Sequence, residues 1–263
     1  MIWILHKILK SGGIYKMYNK YLNTQITGSD IPKHVGIILD GNRRWAVNNN
    51  SGLGFGHKAG ANVATELLEW CHELKIKTLT IYALSDENLN RSQEELEEIF
   101  RVIEMKLYEL LSDKRIIEYE VRITSIGKID QLPKKLQTLL NKLESNTAKF
   151  DNHYLNIALV YGGRSEIIDC FKKIISKYKE GEIELDDITQ KTIDENLYTS
   201  HLSNPEPDVI IRTSGEERLS DFLIWQSAYS ELIFLDVYWP DFRKIDLMRA
   251  IRTYQKRSRR FGK

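Results

Sequence analysis

The stretch "VGIILDGNRRWA", residues 35–46, carries five apolar residues and then, without a break, Asp40, Gly41, Asn42, Arg43 and Arg44. Two guanidinium groups side by side repel each other unless water or an anion lies between them. Three more apolar runs end in a similar way. "TLTIY" (78–82) leads into "ALSDENLNRS", with Ser85, Asp86, Glu87, Asn88 and Arg91. "LNIALV" (155–160) leads into Tyr161-Gly162-Gly163-Arg164, and "DVIIR" (208–212) ends on Arg212 and leads into "TSGEERLS", with Arg218. Arg43, Arg44, Arg91, Arg212 and Arg218 are too many cations for one unliganded cleft. The guanidinium fork matches phosphate oxygens, so they point to a ligand with several phosphates. The plain alternative is surface arginines paired with Glu216, Glu217 or Glu231; recurrence at four run ends favours phosphate. Gly41 lets the backbone approach an anion closely, and amide donors at the start of the following helix add to the attraction. Asp40 suits Mg²⁺, a hard cation that uses few protein carboxylates and bridges phosphate oxygens; Glu231 is the second candidate. His57 is the one histidine in a polar, glycine-flanked setting, where a plain helix-start role is equally open. No phosphate-loop pattern and no Ser-His-Asp arrangement is present.

These run ends need a scaffold that gathers them. Apolar, β-rich runs occur at 35–39, 78–82, 119–126, 155–160, 208–212 and 232–237, with amphipathic stretches between most of them. In 92–112, Leu96, Ile99, Phe100, Ile103, Leu107 and Leu110 recur at helical spacing. Glu94, Glu95, Glu97 and Glu98 crowd its first turns, and Ser92 with Glu95 makes a capping-box pattern. Helices are also expected over 164–180 and 243–259. Continuous apolar strands separated by helices imply an α/β fold: a single domain whose central, mostly parallel six-stranded sheet is flanked by helices on both faces. Ligands of such sheets bind beyond the carboxyl ends of the strands, where the arginine-bearing run ends would converge.

A chain of 263 residues is long enough for one large domain, and 42% hydrophobic with 29% charged residues is ordinary for a soluble protein. The net charge of +1 gives no reason to expect nucleic acid as a partner. Two cysteines, Cys71 and Cys170, with no CxxC pair, fit a reducing compartment, so a cytoplasmic location is expected. No apolar run approaches the roughly 18–20 residues of a membrane span, and the start lacks a small-residue cleavage site. "MIWILHKILKSGGIYKMYNKYL" mixes Trp3, Ile4, Ile8, Leu9, Tyr15 and Tyr18 with Lys7, Lys10, Lys16 and Lys20. That suits an amphipathic helix at a membrane surface, here the inner face of the cell membrane, or one packed on its own domain or a partner subunit. "TGSDIPKH" (27–34) reads as the join between this extension, 1–30, and a main domain, 31–263.

Taken in order, "HVGIILDGNRRWA", "GHKAG", "LTIYALSDENLNRS", "LNIALVYGGR", "PDVIIRTSGEERLSDFLIWQSAYSELIFLDVYWPDF" and "RRFG" resemble the signature blocks of the cis-prenyltransferases, the undecaprenyl and dehydrodolichyl diphosphate synthases. The resemblance covers about residues 31–262. It implies a transferase that extends an allylic diphosphate primer, farnesyl or geranylgeranyl diphosphate, by successive cis additions of isopentenyl diphosphate with Mg²⁺, making a long polycis-polyprenyl diphosphate, the precursor of a lipid glycosyl carrier. It places Asp40 at the metal and diphosphate, and Gly41, Asn42, Arg43, Arg44 and His57 in the allylic diphosphate pocket with Trp45 as the wall beside it. Ser85, Asp86, Glu87 and Arg91 fall in the second motif, and Asn88 at the position assigned as proton acceptor. A neutral amide is a poor base, so an orienting role for Asn88, with a diphosphate oxygen taking the proton, is the better expectation. Arg212, Arg218, Leu219 and Ser220 match the isopentenyl diphosphate site, and Glu231 the second metal position. Arg260 and Gly262 match an Arg-x-Gly that reaches the partner's site, which implies a homodimer. A tunnel for the growing chain, lined by the Leu96–Leu110 stripe and the helix around Val63–Trp70, is implied between helices and sheet. Leu53 and Leu89 depart from an arginine and a tryptophan of many bacterial members, and Arg43 replaces their glycine; with "RTSGEERLSDF" this points to an archaeal-type chain. The alternative within the same fold is a non-catalytic partner subunit. Such subunits lose the aspartate and arginines, which stand here as Asp40, Arg44, Arg212 and Arg218.

Overall fold

The computed structural model describes residues 12–26 and 30–257. Six strands form one sheet in the order β3-β4-β2-β1-β5-β6, every neighbouring pair parallel. They are β1 (His34–Ile38), β2 (Thr78–Ser85), β3 (Val121–Ile126), β4 (His153–Tyr161), β5 (Val209–Arg212) and β6 (Glu231–Phe234). The expected sheet is thus present and wholly parallel. Its central strands are buried along nearly their whole length, which is why they stand out in the sequence as unbroken apolar runs. Where β2 meets β4 the register shifts between Tyr82 and Leu84 and again between Leu84 and Ser85. This irregularity turns the end of β2 outward just ahead of the polar "SDEN" turn.

The helices are α1 (Gly12–Ile26), α2 (Asn42–Asn48), α3 (Leu53–Glu73), α4 (Gln93–Ser112), α5 (Lys114–Glu118), α6 (Lys134–Thr147), α7 (Gly163–Lys179), α8 (Gln190–Asp194) and α9 (Lys244–Lys256). Of the N-terminal extension, the described part is α1, whose Leu22 and Ile26 are buried in the core. α1 packs on α9, where the Arg249 guanidinium lies 5.0 Å above the Tyr18 ring.

Side chains alternate across the strands, so the sheet has two unlike faces. On one, Ile81, Ala83, Leu155, Ile157 and Leu159 look toward α3 and α4. The other buries a polar chain: His34 Nε2 lies 2.8 Å from Thr80 Oγ1, Asn156 Nδ2 donates to Thr80 Oγ1 at 2.9 Å, and His201 Nε2 lies 2.8 Å from Asn156 Oδ1.

The start of α2 lies hard against α3. A Cβ on Gly56 would come within 2.3 Å of the Asn42 carbonyl, and one on Gly60 within 2.1 Å of Asn42 Oδ1. The "GFGHKAG" run therefore reads as a close helix crossing: two glycines one turn apart admit the neighbouring backbone.

Candidate active site

Asp40 lies two residues beyond β1, and its backbone is held on both sides. Its N–H donates to Ile38 O at 3.0 Å and to Thr213 Oγ1 at 3.1 Å, and its carbonyl accepts from Trp239 N at 3.0 Å. Gly41 follows with φ 106°, left-handed backbone that glycine alone adopts freely, and a Cβ there would meet the Tyr238 ring at 2.8 Å. The Asp40 carboxylate accepts from Arg212 Nη2 at 2.8 Å and from Arg44 Nη2 at 3.2 Å. Burial works against its ionisation, but the hydrogen bond and charge of Arg212, then the charge of Arg44 and the Ser214 hydroxyl, outweigh that and hold its pKa below the ordinary value.

Arg43 and Arg44 leave α2 toward different carboxylates. Arg44 Nη1 donates to Glu216 Oε1 at 2.9 Å and Nη2 to Ser214 Oγ at 2.6 Å. Arg43 Nε lies 3.5 Å from Glu95 Oε1, across the cleft on α4. The repulsion between neighbouring arginines is thus relieved inside the chain before any anion arrives. Arg43, Arg44 and Arg218 are 55%, 42% and 62% exposed, so their forks remain open to a ligand. Arg212 is different: at 5% exposure it donates to the Arg218 carbonyl at 2.5 Å and to Ser220 Oγ at 2.8 Å. It props a loop in which Ser214, Ser220, Asp221 and Leu223 all have positive φ. Non-glycine residues in that region carry strain, and here they cluster at the sheet's carboxyl rim. Leu219 turns away, packing on the Tyr82–Phe222 cluster.

In the second motif, Asp86 caps the 3₁₀ turn Glu87–Asn90 by accepting from Glu87 N at 2.8 Å, and its other oxygen takes Ser165 Oγ at 2.9 Å. Glu87 is exposed. Asn88 Oδ1 accepts from Ser85 N at 3.2 Å, and Asn88 N donates to Ser85 Oγ at 3.2 Å. With its carbonyl engaged, the Asn88 amide presents its NH₂, a donor and not a base. Arg91 Nη1 donates to Glu95 Oε1 at 2.7 Å. His57 is 13% exposed, its Nε2 lying 3.7 Å from Glu95 Oε1 without a hydrogen-bond partner. Burial, then the charge of Arg91, lowers its pKa against the opposing pull of Glu95, so the imidazole is neutral at pH 7.

Asn42 and His57 stand at the mouth of an apolar cavity of about 890 Å³, open end included. It runs between α3 and α4 over the sheet. Ala64 and Leu68 on α3 line it, as do Ile99, Ile103, Leu107 and Leu110 on α4. Of the helical stripes expected to line a tunnel, Leu96, Phe100, Val63 and Trp70 stay outside the lining. Leu68 and Leu155 also line a second space of about 380 Å³ beyond, bounded by His72, Tyr119 and His153. There the His72 and Tyr119 rings stack with centroids 3.6 Å apart.

One expectation is altered. Glu231 opens β6, in register with Val209 at the start of β5, and accepts from Arg257 Nη1 at 2.8 Å. In a parallel sheet this is the end opposite Asp40, so one chain does not bring the two carboxylates to a common metal. The mouth of the cavity is walled by the fully buried Trp239, whose Nε1 donates to Gly60 O at 2.7 Å; Trp45, expected beside the diphosphate pocket and not in the tunnel, is half-buried on α2. Trp239 was visible only as the aromatic of "VYWPDF", with nothing in its spacing to single it out. Arg260 and Gly262 lie outside the described residues.

Asp40 fits Mg²⁺ as a single ionised oxygen donor, a cation that takes its remaining ligands from phosphate and water. Among the described residues no three His, Cys, Asp or Glu side chains form a ready-made metal cage. A rim of arginine forks around one carboxylate, opening into a dry apolar tunnel, suits an amphiphile with a phosphate-rich head and a long hydrocarbon tail.

The comparisons with known proteins agree with that chemistry. The family model described as "Putative undecaprenyl diphosphate synthase" matches residues 38–262. A tritrans,polycis-undecaprenyl-diphosphate synthase (geranylgeranyl-diphosphate specific) of Methanocaldococcus jannaschii is 48% identical over 258 residues, 98% of this chain and 92% of that protein. One from Sulfurisphaera tokodaii is 49% identical over 250 residues, 95% of each. Among solved structures, lavandulyl diphosphate synthase from Lavandula x intermedia, in complex with dimethylallyl diphosphate, superposes with a TM-score of 0.85 at 34% identity, covering 89% of this chain and 99% of that one. Such coverage, on a wholly parallel sheet with the diphosphate-type rim just described, makes the chain a member of the cis-prenyltransferase family, an enzyme that elongates prenyl chains by cis addition.

Proposed function

We propose that this chain extends geranylgeranyl diphosphate by repeated cis addition of isopentenyl diphosphate, making tritrans,polycis-undecaprenyl diphosphate as the precursor of a lipid glycosyl carrier. The primer and product are those named for relatives nearly half identical over nearly the whole chain. The observation that carries the reading is the apolar cavity opening between Asn42 and His57 beside the Asp40–Arg44–Arg212 rim.

In each turnover the allylic C1–O bond breaks and its diphosphate leaves, C1 joins C4 of isopentenyl diphosphate, and a proton leaves C2, so that the double bond moves from C3–C4 to C2–C3. Arg43, Arg44, Arg91 and neutral His57 bind the primer diphosphate and stabilise the charge that grows on it as it departs. Arg212, Arg218 and Ser220 bind the incoming diphosphate. Asn88 donates to that diphosphate and orients it, and a diphosphate oxygen takes the proton. Asp40 would hold Mg²⁺, which when bound would supply Lewis-acid neutralisation of the leaving group. The tunnel holds the tail away from water, so each added unit gains apolar burial.

The active form is a homodimer. On the outer side of α7, Ile168, Phe171 and Ile175 are about half exposed and Tyr178 is 42% exposed, at spacings of three and four residues. A soluble monomer rarely leaves such a stripe to solvent. Among the described residues no helix is long and apolar enough to cross a membrane. Contact with the bilayer that receives the product would be peripheral, through residues ahead of α1. α1 itself cannot be removed to test this, because Leu22 and Ile26 belong to the core.

The direct test incubates the purified full chain with Mg²⁺, radiolabelled isopentenyl diphosphate and either farnesyl or geranylgeranyl diphosphate, and sizes the products chromatographically. Geranylgeranyl diphosphate is expected to be extended at the higher kcat/KM to an 11-unit product. Equal use of both primers, or products that stop after one addition, would overturn the reading.

A further inference from the structure

We infer that Glu95, a first-turn helix residue outside the expected diphosphate pocket, is the positioning residue of that pocket. This rests on the reading above that Arg43, Arg91 and His57 bind the primer's diphosphate.

Two guanidinium groups and one neutral imidazole, from three elements, meet one oxygen. Arg91 Nη1, from the turn before α4, lies 2.7 Å from Glu95 Oε1; Arg43 Nε, from α2, 3.5 Å; and His57 Nε2, from α3, 3.7 Å. Glu95 is only 8% exposed. A carboxylate in the first turn of a helix has an easier place to go. The pattern Ser92-x-x-Glu95 predicts a reciprocal capping box, and half of it forms: Ser92 Oγ accepts from Glu95 N at 3.4 Å. The Glu95 carboxylate does not return to the cap but turns inward to the pocket. A local rule set aside at the edge of a cleft is the pattern expected of a functional position.

The electrostatics point the same way. A buried carboxylate beside an anion pocket repels the ligand, so direct Coulomb energy cannot explain it there. What it does is hold together two guanidinium groups that would otherwise push apart, leaving the group with one net positive charge while His57 is neutral. Arg43 uses only Nε, at long range, and Arg91 only Nη1; their other N–H donors have no partner among the described residues. Glu95 thus anchors each arginine by one corner and leaves the remaining donors facing the mouth. Anchored donors lose less freedom when the diphosphate binds, which lowers the primer's dissociation constant without touching the reacting atoms.

The test uses the full chain carrying Glu95→Gln, Glu95→Asp, Arg43→Ala, Arg91→Ala and the Arg43→Ala/Glu95→Gln pair. Steady-state constants are measured for geranylgeranyl diphosphate and isopentenyl diphosphate separately. Glu95→Gln is expected to raise the primer KM about 10-fold while kcat and the isopentenyl diphosphate KM stay within about threefold. Glu95→Asp is expected to restore most of the loss, and the pair to be less than additive, because both changes disable one assembly. A loss in kcat alone with a lowered melting temperature, or full additivity in the pair, would show Glu95 to be merely structural. Arg43→Ala raising the primer KM while neither Glu95 variant does so overturns the proposal alone. Arg43→Ala and Arg91→Ala both leaving the primer KM unchanged would overturn the pocket assignment beneath it. Should Glu95→Gln fail to fold, the same KM split is read from Glu95→Ala, where an unchanged primer KM is the overturning result.

Discussion

Arg212 Nη2 donates to Asp40 Oδ2 at 2.8 Å, tying the last residue of β5 to the second residue beyond β1 across the sheet's carboxyl rim. The pair is lopsided: Arg212 is 5% exposed, Asp40 27%. The buried cation is held from below by Ser220 and the Arg218 carbonyl, and the carboxylate is left facing the cleft. Such an arrangement fixes the direction of Asp40 while keeping an edge of it available to a metal or ligand.

Removing the carboxylate therefore has two separable effects. Asp40→Ala leaves Arg212 buried and unpaired, a change that destabilises by about 2–3 kcal/mol when one partner is partly exposed. Asp40→Asn keeps the shape and one acceptor and is expected to fold with a smaller loss. Both are expected to reduce radiolabelled isopentenyl diphosphate incorporation at least about 100-fold, because the electrostatic support of the leaving diphosphate is gone. Circular dichroism melts beside the activity assay separate the effects. Near-normal turnover in Asp40→Asn would remove Asp40 from the chemistry.

Leu68 and Leu155 are the partition between the tunnel and the smaller space behind it. Trimming the half-buried Leu68 to Ala joins the two and is expected to lengthen the products, at a stability cost of about 1–2 kcal/mol, below that of a fully buried large-to-small change. Filling the tunnel earlier, with Ala64→Phe, is expected to shorten them. Reversed-phase sizing of the dephosphorylated products reads both. An identical product distribution in the two variants would mean that chain release, and not tunnel volume, sets length.

Much of this was legible because buried parallel strands write themselves as apolar runs, and whatever follows such a run lies on the carboxyl rim. Asp40, Ser85, Asn88 and Arg212 were found by that logic alone. Glu231 as a second metal position rests on the family resemblance and not on that logic: it precedes the 232–237 run, which the same rule puts at the opposite end, and it does begin β6, away from the rim. Of the carboxylates that separate Arg43 from Arg44, Glu216 is among the partners expected from the sequence and does pair with Arg44 and Arg218, whereas Glu95 was hidden. Glu95 and Glu216 are 52 and 172 residues from their arginines, and such pairings are set by tertiary packing. Glu95 was further disguised by a good capping pattern. Trp45 and Trp239 show the same limit: composition marks both as large aromatics, and only the helix crossing at Gly60 decides that Trp239 forms the wall.

His34 gives the fold a pH dependence whose sign follows from its burial. Burial lowers its pKa from 6.5 to about 4, against the opposing pull of the Asn204 carbonyl and Asp208. Between about 6.5 and 4 the unfolded chain binds a proton that the folded chain refuses, so stability falls as pH drops through that window. The loss amounts to about 3 kcal/mol by pH 4. Urea midpoints at pH 7 and pH 5 measure it, and His34→Gln is expected to flatten part of the slope. His57, His153 and His201 are also shifted down by burial and contribute in the same direction. A stability that rises from pH 7 to pH 5 would contradict the buried neutral network.

The apolar stripe on α7 makes the dimer testable without touching the diphosphate rim. Ile168 and Ile175 are 54% and 51% exposed and lie two turns apart on one side of the helix. Surface changes at exposed positions ordinarily alter stability by no more than about 0.5 kcal/mol, so Ile168→Glu with Ile175→Lys should leave a folded chain. If a second copy covers this face, burying those charges opposes association, and the variant is expected to sediment as a monomer at concentrations where the unaltered chain is dimeric. Were the partner's C-terminal Arg260 also needed at each site, that monomer would lose activity as well, and adding an Asp40→Asn chain with an intact α7 would not restore it. A variant that stays dimeric would move the interface to another face of the molecule.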